Sequence, residues 1–325
     1  PRAKSVAPQQ KSSKLSGGHF WPSVIATTIS AFLLYAPTTA RSVMGGDSGE
    51  LVAAACSLGV PHPPGYPLLT LLGAVSMRVL PIGEPAFRMG LLNAAISAGA
   101  AGLVAGTVGL RTGGDLLSAM TAGLLFAVSP IVWHFSTHPE VFALNNLLVA
   151  LVVAAAAHLA TAREKSKSTS NIFRPAGVAA FAMGLCVCNQ HTAALTVLPL
   201  TLWAVTCHIR SSKVVGLCAL IFTIGLLPQL YLPIASARDP PVLWGAVHTA
   251  FVEGFLRHVL RWDYGSWSLA SDWGTAQTQN ASLSLGLQRY FEALPEQMTW
   301  PGVAAASAGV VLPWTSSSQL YPGGF

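Results

Sequence analysis

The chain has 325 residues, 52% of them hydrophobic and only 9% charged, with a mean hydropathy of +0.54. A soluble domain carries roughly a quarter charged residues, so this composition excludes a soluble globular protein and implies a polytopic membrane protein. The net charge of +6 sits in short clusters between apolar runs, which carries topology information and argues against a nucleic-acid-binding stripe. The five cysteines include no pair at zinc-ligand spacing, and Cys186 and Cys188 would point to different sides of a helix. Neither a disulfide framework nor a metal site is expected.

Residues 1–18 hold Arg2, Lys4, Lys11 and Lys14 and no acid, and read as a disordered basic cytosolic tail. The first apolar run, 20–43, is long enough to cross a ~30 Å hydrocarbon core, and the positive-inside rule delivers its far end to the lumen. Thr38-Thr39-Ala40 is only a weak cleavage site, so an uncleaved first helix is expected. Segment 66–80 is short for a span and carries Arg78. Longer runs follow at 87–110, 116–135, 141–162, 172–188, 192–209 and 214–235. If 66–80 lies in the interface or dips in and returns, the three basic loops between these runs are all cytosolic. Asp47, His138, Glu140 and His191 then all emerge on the luminal side. If 66–80 spans, every one of those loops falls on the disfavoured side.

The sequence thus predicts an all-α polytopic membrane protein with about seven to eight transmembrane helices plus luminal juxtamembrane helices. The expected organisation is a tail over 1–18, a transmembrane core over 19–235 with a luminal loop at 44–86, and a luminal loop over 236–300. The apolar stretch 301–325 begins a further segment, and the chain reads as a shortened form. Asn280-Ala281-Ser282 is a glycosylation sequon where the lumen is expected.

The chemistry-bearing residues cluster on that side. Gly46-Asp47-Ser48-Gly49-Glu50 places two carboxylates three apart, on one face of any helix that starts there. That spacing is also a capping box, so cap and catalyst stand level on the residues alone. His62 sits in Pro61-His62-Pro63-Pro64-Gly65-Tyr66-Pro67, where the prolines stiffen its backbone. Arg88 opens a span, where it could snorkel or contact phosphate. His138, Glu140 and His191 sit in luminal turns, and Arg257 and Arg261 on an amphipathic luminal helix whose charges could equally face solvent or headgroups.

These residues carry a resemblance. Residues 46–51, Leu58-Gly59-Val60-Pro61-His62-Pro63-Pro64-Gly65-Tyr66-Pro67-Leu68, and Phe87-Arg88-Met89-Gly90-Leu91-Leu92-Asn93 resemble a family of polytopic proteins first catalogued as a domain of unknown function. Its animal member is an endoplasmic-reticulum protein O-mannosyltransferase acting on IPT (plexin-type) domains. Glu140-Val141-Phe142-Ala143-Leu144, Asn189-Gln190-His191 and 244–266 fit the same pattern, so the likeness covers about 40–270. It implies a GT-C glycosyltransferase fold in the endoplasmic-reticulum membrane. The implied reaction moves mannose from dolichyl-phosphate mannose to Ser or Thr hydroxyls of secretory-pathway proteins, with inversion and with no cofactor or metal. On this sequence Asp47 matches the catalytic acid, acting as general base. Glu50 would hold Asp47 or a sugar hydroxyl. Arg88, His62, Arg257 and Arg261 would neutralise the departing phosphate, and His138, Glu140 and His191 would line the donor cavity. A transporter or scramblase would need polar groups through the depth of the bundle and an inverted repeat, and neither is visible. An inactive membrane scaffold is the other alternative.

Overall fold

The computed structural model describes residues 20–165, 169–209, 211–244, 251–262 and 283–315. The tail 1–18 and the sequon at Asn280 lie outside the described residues. These described residues form thirteen α-helices in chain order: α1 (Phe20–Thr38), α2 (Ser48–Ser57), α3 (Pro67–Val79), α4 (Pro85–Arg111), α5 (Leu116–Val128), α6 (Pro130–Ser136) and α7 (Phe142–Lys165). Then come α8 (Thr169–Val187), α9 (Ala194–Trp203), α10 (Ser212–Gly225), α11 (Tyr231–Ser236), α12 (Phe251–Val259) and α13 (Leu283–Thr315). Among the described residues the sole β-type pairing is a parallel bridge between Val60 and Leu243.

Among the described residues, four segments are long and apolar enough to cross a membrane: α1, α4, Phe142–Ala162 of α7, and Ser212–Ser236 through α10 and α11. A fifth arises if α5 and α6 are one span, bent by 71°. Pro130 causes that bend, since it has no N–H to donate and pushes Ser129 out of the helical region. Helices α8 and α9 are apolar but shorter, so seven spans are reached only when both are counted.

Between apolar helices in lipid there is no hydrophobic drive to associate, and close packing of small residues takes its place. On α4, Gly102 and Gly106 face α1. A methyl at Gly102 would stand 2.1 Å from the Thr28 hydroxyl oxygen, and one at Gly106 2.5 Å from Val24. Replacing either glycine would force the pair apart. The Tyr35 hydroxyl crosses to the Ala127 carbonyl at 2.8 Å and ties α1 to α5. A second body of core joins α2, α3, α4 and α7 through Leu51, Leu69, Met89, Leu144 and Val152, all buried.

Helix α3 is 13 residues long, about 20 Å at 1.5 Å per residue, against a core of ~30 Å. It packs on α2 and α4. Within the expected loop 236–300, α12 holds Arg257, where an amphipathic helix was expected, and α13 begins at Leu283. Helix α13 breaks at Thr299 (φ 61°), immediately before Trp300-Pro301, where the apolar stretch was expected to start.

Candidate active site

The site is built where the end of α1, the start of α2 and the entry to α7 meet. Helix α1 stops at Thr38, and the Ala40 N–H donates to the Thr137 carbonyl at 3.0 Å, so the ends of α1 and α6 lie side by side. Buried Asn93 on α4 donates to the carbonyls of His138 at 2.6 Å and Glu140 at 2.7 Å. Asn189 donates to the Val141 carbonyl at 3.1 Å. These two amides pin the His138-Pro139-Glu140 turn in place.

That turn delivers the Glu140 carboxylate to the start of α2. The carboxylate accepts from the backbone N–H groups of Asp47 and Val141. Gly46 makes the approach possible: its φ is +73°, and a Cβ there would stand 3.1 Å from Glu140 Oε1. Glu140 is 8% exposed. Burial, then the neighbouring Asp47 charge, push its carboxyl up to about 7 against the two N–H contacts that hold it down.

Asp47 occupies the N-cap position of α2, yet its side chain makes no capping bond. Glu50 does not reach back either, so the capping box is not formed. Both Glu50 oxygens go to His62: the backbone N–H donates to Oε1 at 2.6 Å, and ring Nδ1 lies 2.7 Å from Oε2. The other ring nitrogen, Nε2, is 3.1 Å from the Tyr66 hydroxyl and 3.6 Å from Asp47 Oδ2. Asp47 is left as an unspent carboxylate, its side chain 57% exposed. Asp47, Glu50 and His62 place ligand-type atoms within 4.8 Å of one another. In the structure both Glu50 oxygens are engaged by His62.

Burial disfavours a charged His62, but the Glu50 hydrogen bond and the charges of Glu50 and Asp47 outweigh it, so its pKa lies above the usual histidine value, with Arg261 opposing. Burial and the charge of Asp47 likewise push the Tyr66 phenol upward. The proline-rich loop carrying both is clamped from outside. Val60 exchanges backbone bonds with Val242 and Trp244 at 2.8 and 3.0 Å, and the Tyr231 hydroxyl donates to the Gly59 carbonyl at 2.9 Å. Buried His258 of α12 packs on Gly65.

The remaining expected residues divide. Arg261, just past α12, is half-buried, and its charge reaches His62, Tyr66 and His191. Its Nε has no hydrogen-bond partner among the described residues. His191 lies at one end of an apolar cavity of about 450 Å³ between α8, α9 and α10, lined by Met183, Val197, Ala219 and Phe222 among others. Arg257 is exposed on α12. His138 turns its ring to the His134 carbonyl and ring.

Two of the expected residues are engaged by other protein groups. Arg88 Nη1 donates to the Met77 carbonyl at 2.7 Å and its Nε to the Gly83 carbonyl at 3.0 Å. It ties the end of α3 to the start of α4, because α3 ends there with unpaired carbonyls. Glu50 holds His62, not Asp47. Sequence reading gave no role to Tyr66 or Asn93. The signal for Asn93 was present, an amide inside an apolar run where lipid would penalise it.

The family described as the N-terminal domain of the protein O-mannosyl-transferase TMEM260 matches residues 47–215. The chain belongs to this family. The match begins at Asp47 and takes in α2 through α9. The mouse protein O-mannosyl-transferase TMEM260 is 39% identical over 253 residues, 76% of this chain and 34% of the relative. The Dictyostelium discoideum protein of the same name is 29% identical over 300 residues, 89% of this chain and 36% of the relative. The chain thus spans about a third of the length of these TMEM260 relatives. No solved structure matches it.

Proposed function

We propose that the chain is the membrane-embedded catalytic part of a protein O-mannosyltransferase of GT-C type, transferring mannose from dolichyl-phosphate mannose to Ser or Thr hydroxyls of luminal protein domains. The observation that carries this reading is the state of Asp47: a carboxylate at a helix start that makes no cap, fixed through its own backbone by Glu140 and exposed to an incoming hydroxyl. As general base, Asp47 takes the hydroxyl proton while the oxygen attacks the anomeric carbon from the face opposite the phosphate, which inverts the centre. The apolar cavity ending at His191 suits the isoprenoid chain. Arg261, whose charge reaches both that end and His62, takes over the role first given to Arg88 in stabilising charge on the departing phosphate. Arg257 could add to it from α12. Placement in the endoplasmic-reticulum membrane with the site luminal and the N-terminal tail cytosolic belongs to the same proposal.

The test is a donor comparison. Purified protein in lipid vesicles, supplied with an IPT-type acceptor domain, adds a hexose from dolichyl-phosphate mannose and not from a nucleotide-linked mannose. Transfer from the nucleotide sugar alone, or from neither, contradicts the reading.

A further inference from the structure

Glu50 and His62 are bound to each other more fully than a surface pair needs. Glu50 uses one oxygen on the His62 backbone N–H at 2.6 Å and the other on ring Nδ1 at 2.7 Å. A ring held at Nδ1 by a carboxylate has its tautomer set: Nδ1 carries the proton and Nε2 keeps its lone pair. Nε2 points to the Tyr66 hydroxyl at 3.1 Å and to Asp47 Oδ2 at 3.6 Å. The phenol can donate to a neutral Nε2 or accept from a protonated one, so the ring is satisfied in either charge state.

We propose that Glu50 and His62 form a positioning pair behind Asp47, in which Glu50 fixes the imidazole and His62 Nε2 receives the proton that Asp47 takes from the acceptor. This rests on the transferase reading above. In the step, the acceptor oxygen forms a bond to the anomeric carbon, and the bond from that carbon to the phosphate oxygen breaks, its electron pair leaving on the lipid phosphate. The hydroxyl proton passes to Asp47 and then to Nε2. The 3.6 Å gap is longer than a hydrogen bond, so the exposed Asp47 side chain closes on Nε2 by a few tenths of an ångström as the proton passes. The resulting imidazolium stands between Glu50 and Asp47, two carboxylates that stabilise it, and Asp47 is restored as a base. The charged and titratable groups facing the ring are Glu50 of α2, Asp47 before it, Tyr66, Arg261 beyond α12, and Glu140, which responds to the His62 charge. The earlier assignment of His62 to the phosphate makes a different prediction, which separates the two.

The test has two arms on the full-length protein. In the first, histidine-selective nitrogen-15 spectra are recorded across pH, with the His62 signals assigned by their loss in His62→Gln. The wild type shows the Nδ1–H tautomer and a titration above that of an ordinary histidine, and Glu50→Gln lowers the titration and mixes the tautomers. In the second, mannosyl transfer is followed against pH. His62→Gln lowers kcat about a hundredfold with the donor KM held and removes the acid limb of the profile, and Glu50→Gln shifts that limb to lower pH with a smaller loss.

A raised donor KM with kcat unchanged in His62→Gln returns His62 to the phosphate and overturns the pair. An Nε2–H tautomer in the wild type overturns it too. Full transfer by His62→Gln refutes this inference and leaves the transferase reading intact. Absence of transfer by the wild type refutes that reading and the proton-receiving role together.

Discussion

Two helices of this chain start from nearly the same residues and use them differently. Gly113-Gly114-Asp115 opens α5, and Gly45-Gly46-Asp47 opens α2. The Asp115 carboxylate accepts from the Ser118 N–H at 3.1 Å and from the Ser118 hydroxyl, so it is consumed in closing its own helix. It is exposed, as are the residues after it through Ser118, and among the described residues no other acid adds to its electrostatics. Asp47 makes no such bond. Its N–H is taken by Glu140, and the glutamate three residues on, which would complete a capping box, is turned to His62. An aspartate at a helix start is a cap by default. It becomes a reagent when neighbouring groups meet the local hydrogen-bonding needs and leave the carboxylate over.

The contrast can be broken first at Glu140. Glu140→Ala strands the N–H groups of Asp47 and Val141 and lets the turn drift. An unmet buried donor costs about 2 kcal/mol, which corresponds to some thirtyfold in transfer. Glu140→Gln keeps an acceptor oxygen and retains most transfer at neutral pH. The two variants differ in stability as well. Glu140 binds its proton more tightly folded than unfolded, so the native state loses stability as pH rises from 4.5 to about 7. Thermal unfolding across that window should show the decline in the wild type and a flatter curve in Glu140→Gln.

A smaller effect is expected at Gly46. Gly46→Ala puts a Cβ at 3.1 Å from Glu140 Oε1 on a residue with φ +73°, a backbone region costing roughly 1–2 kcal/mol for any L side chain. A lowered unfolding temperature with a parallel fall in transfer is the predicted result. The smallest effect is on the other side of the comparison. Asp115→Ala removes an ordinary cap worth ~1 kcal/mol of stability, and transfer should not change.

Much of this arrangement was legible in the residues, for identifiable reasons. The apolar run 87–110 falls within α4, and the run 141–162 lies in α7 but for Val141, because long spans must be apolar and charge marks their ends. Asp47, His62 and Glu140 were expected in loops on one side of the bilayer, and the structure brings the three together. What stayed hidden depended on side-chain direction. Nothing in the spacing of Glu50 and His62, twelve residues apart, says that one grips the other twice, because the intervening α2 and the proline-rich loop set their approach. Arg88 at the head of a span reads equally as a phosphate contact or as an anchor, and only the position of the carbonyls ending α3 decides for the anchor. The bend at Ser129-Pro130 interrupts a run whose apolarity is continuous. The early start of α13 is concealed by a composition that is polar before Trp300.

The central claim is that Asp47 is the base and that its freedom from capping is what makes it one. It is tested most directly by measuring mannosyl transfer from dolichyl-phosphate mannose for Asp47→Asn and Asp115→Asn beside the wild type, in one vesicle preparation with matched membrane insertion. The account predicts that Asp47→Asn loses transfer by a hundredfold or more, on the order of what a positioned base supplies, while Asp115→Asn matches the wild type. Undiminished transfer by Asp47→Asn would contradict it.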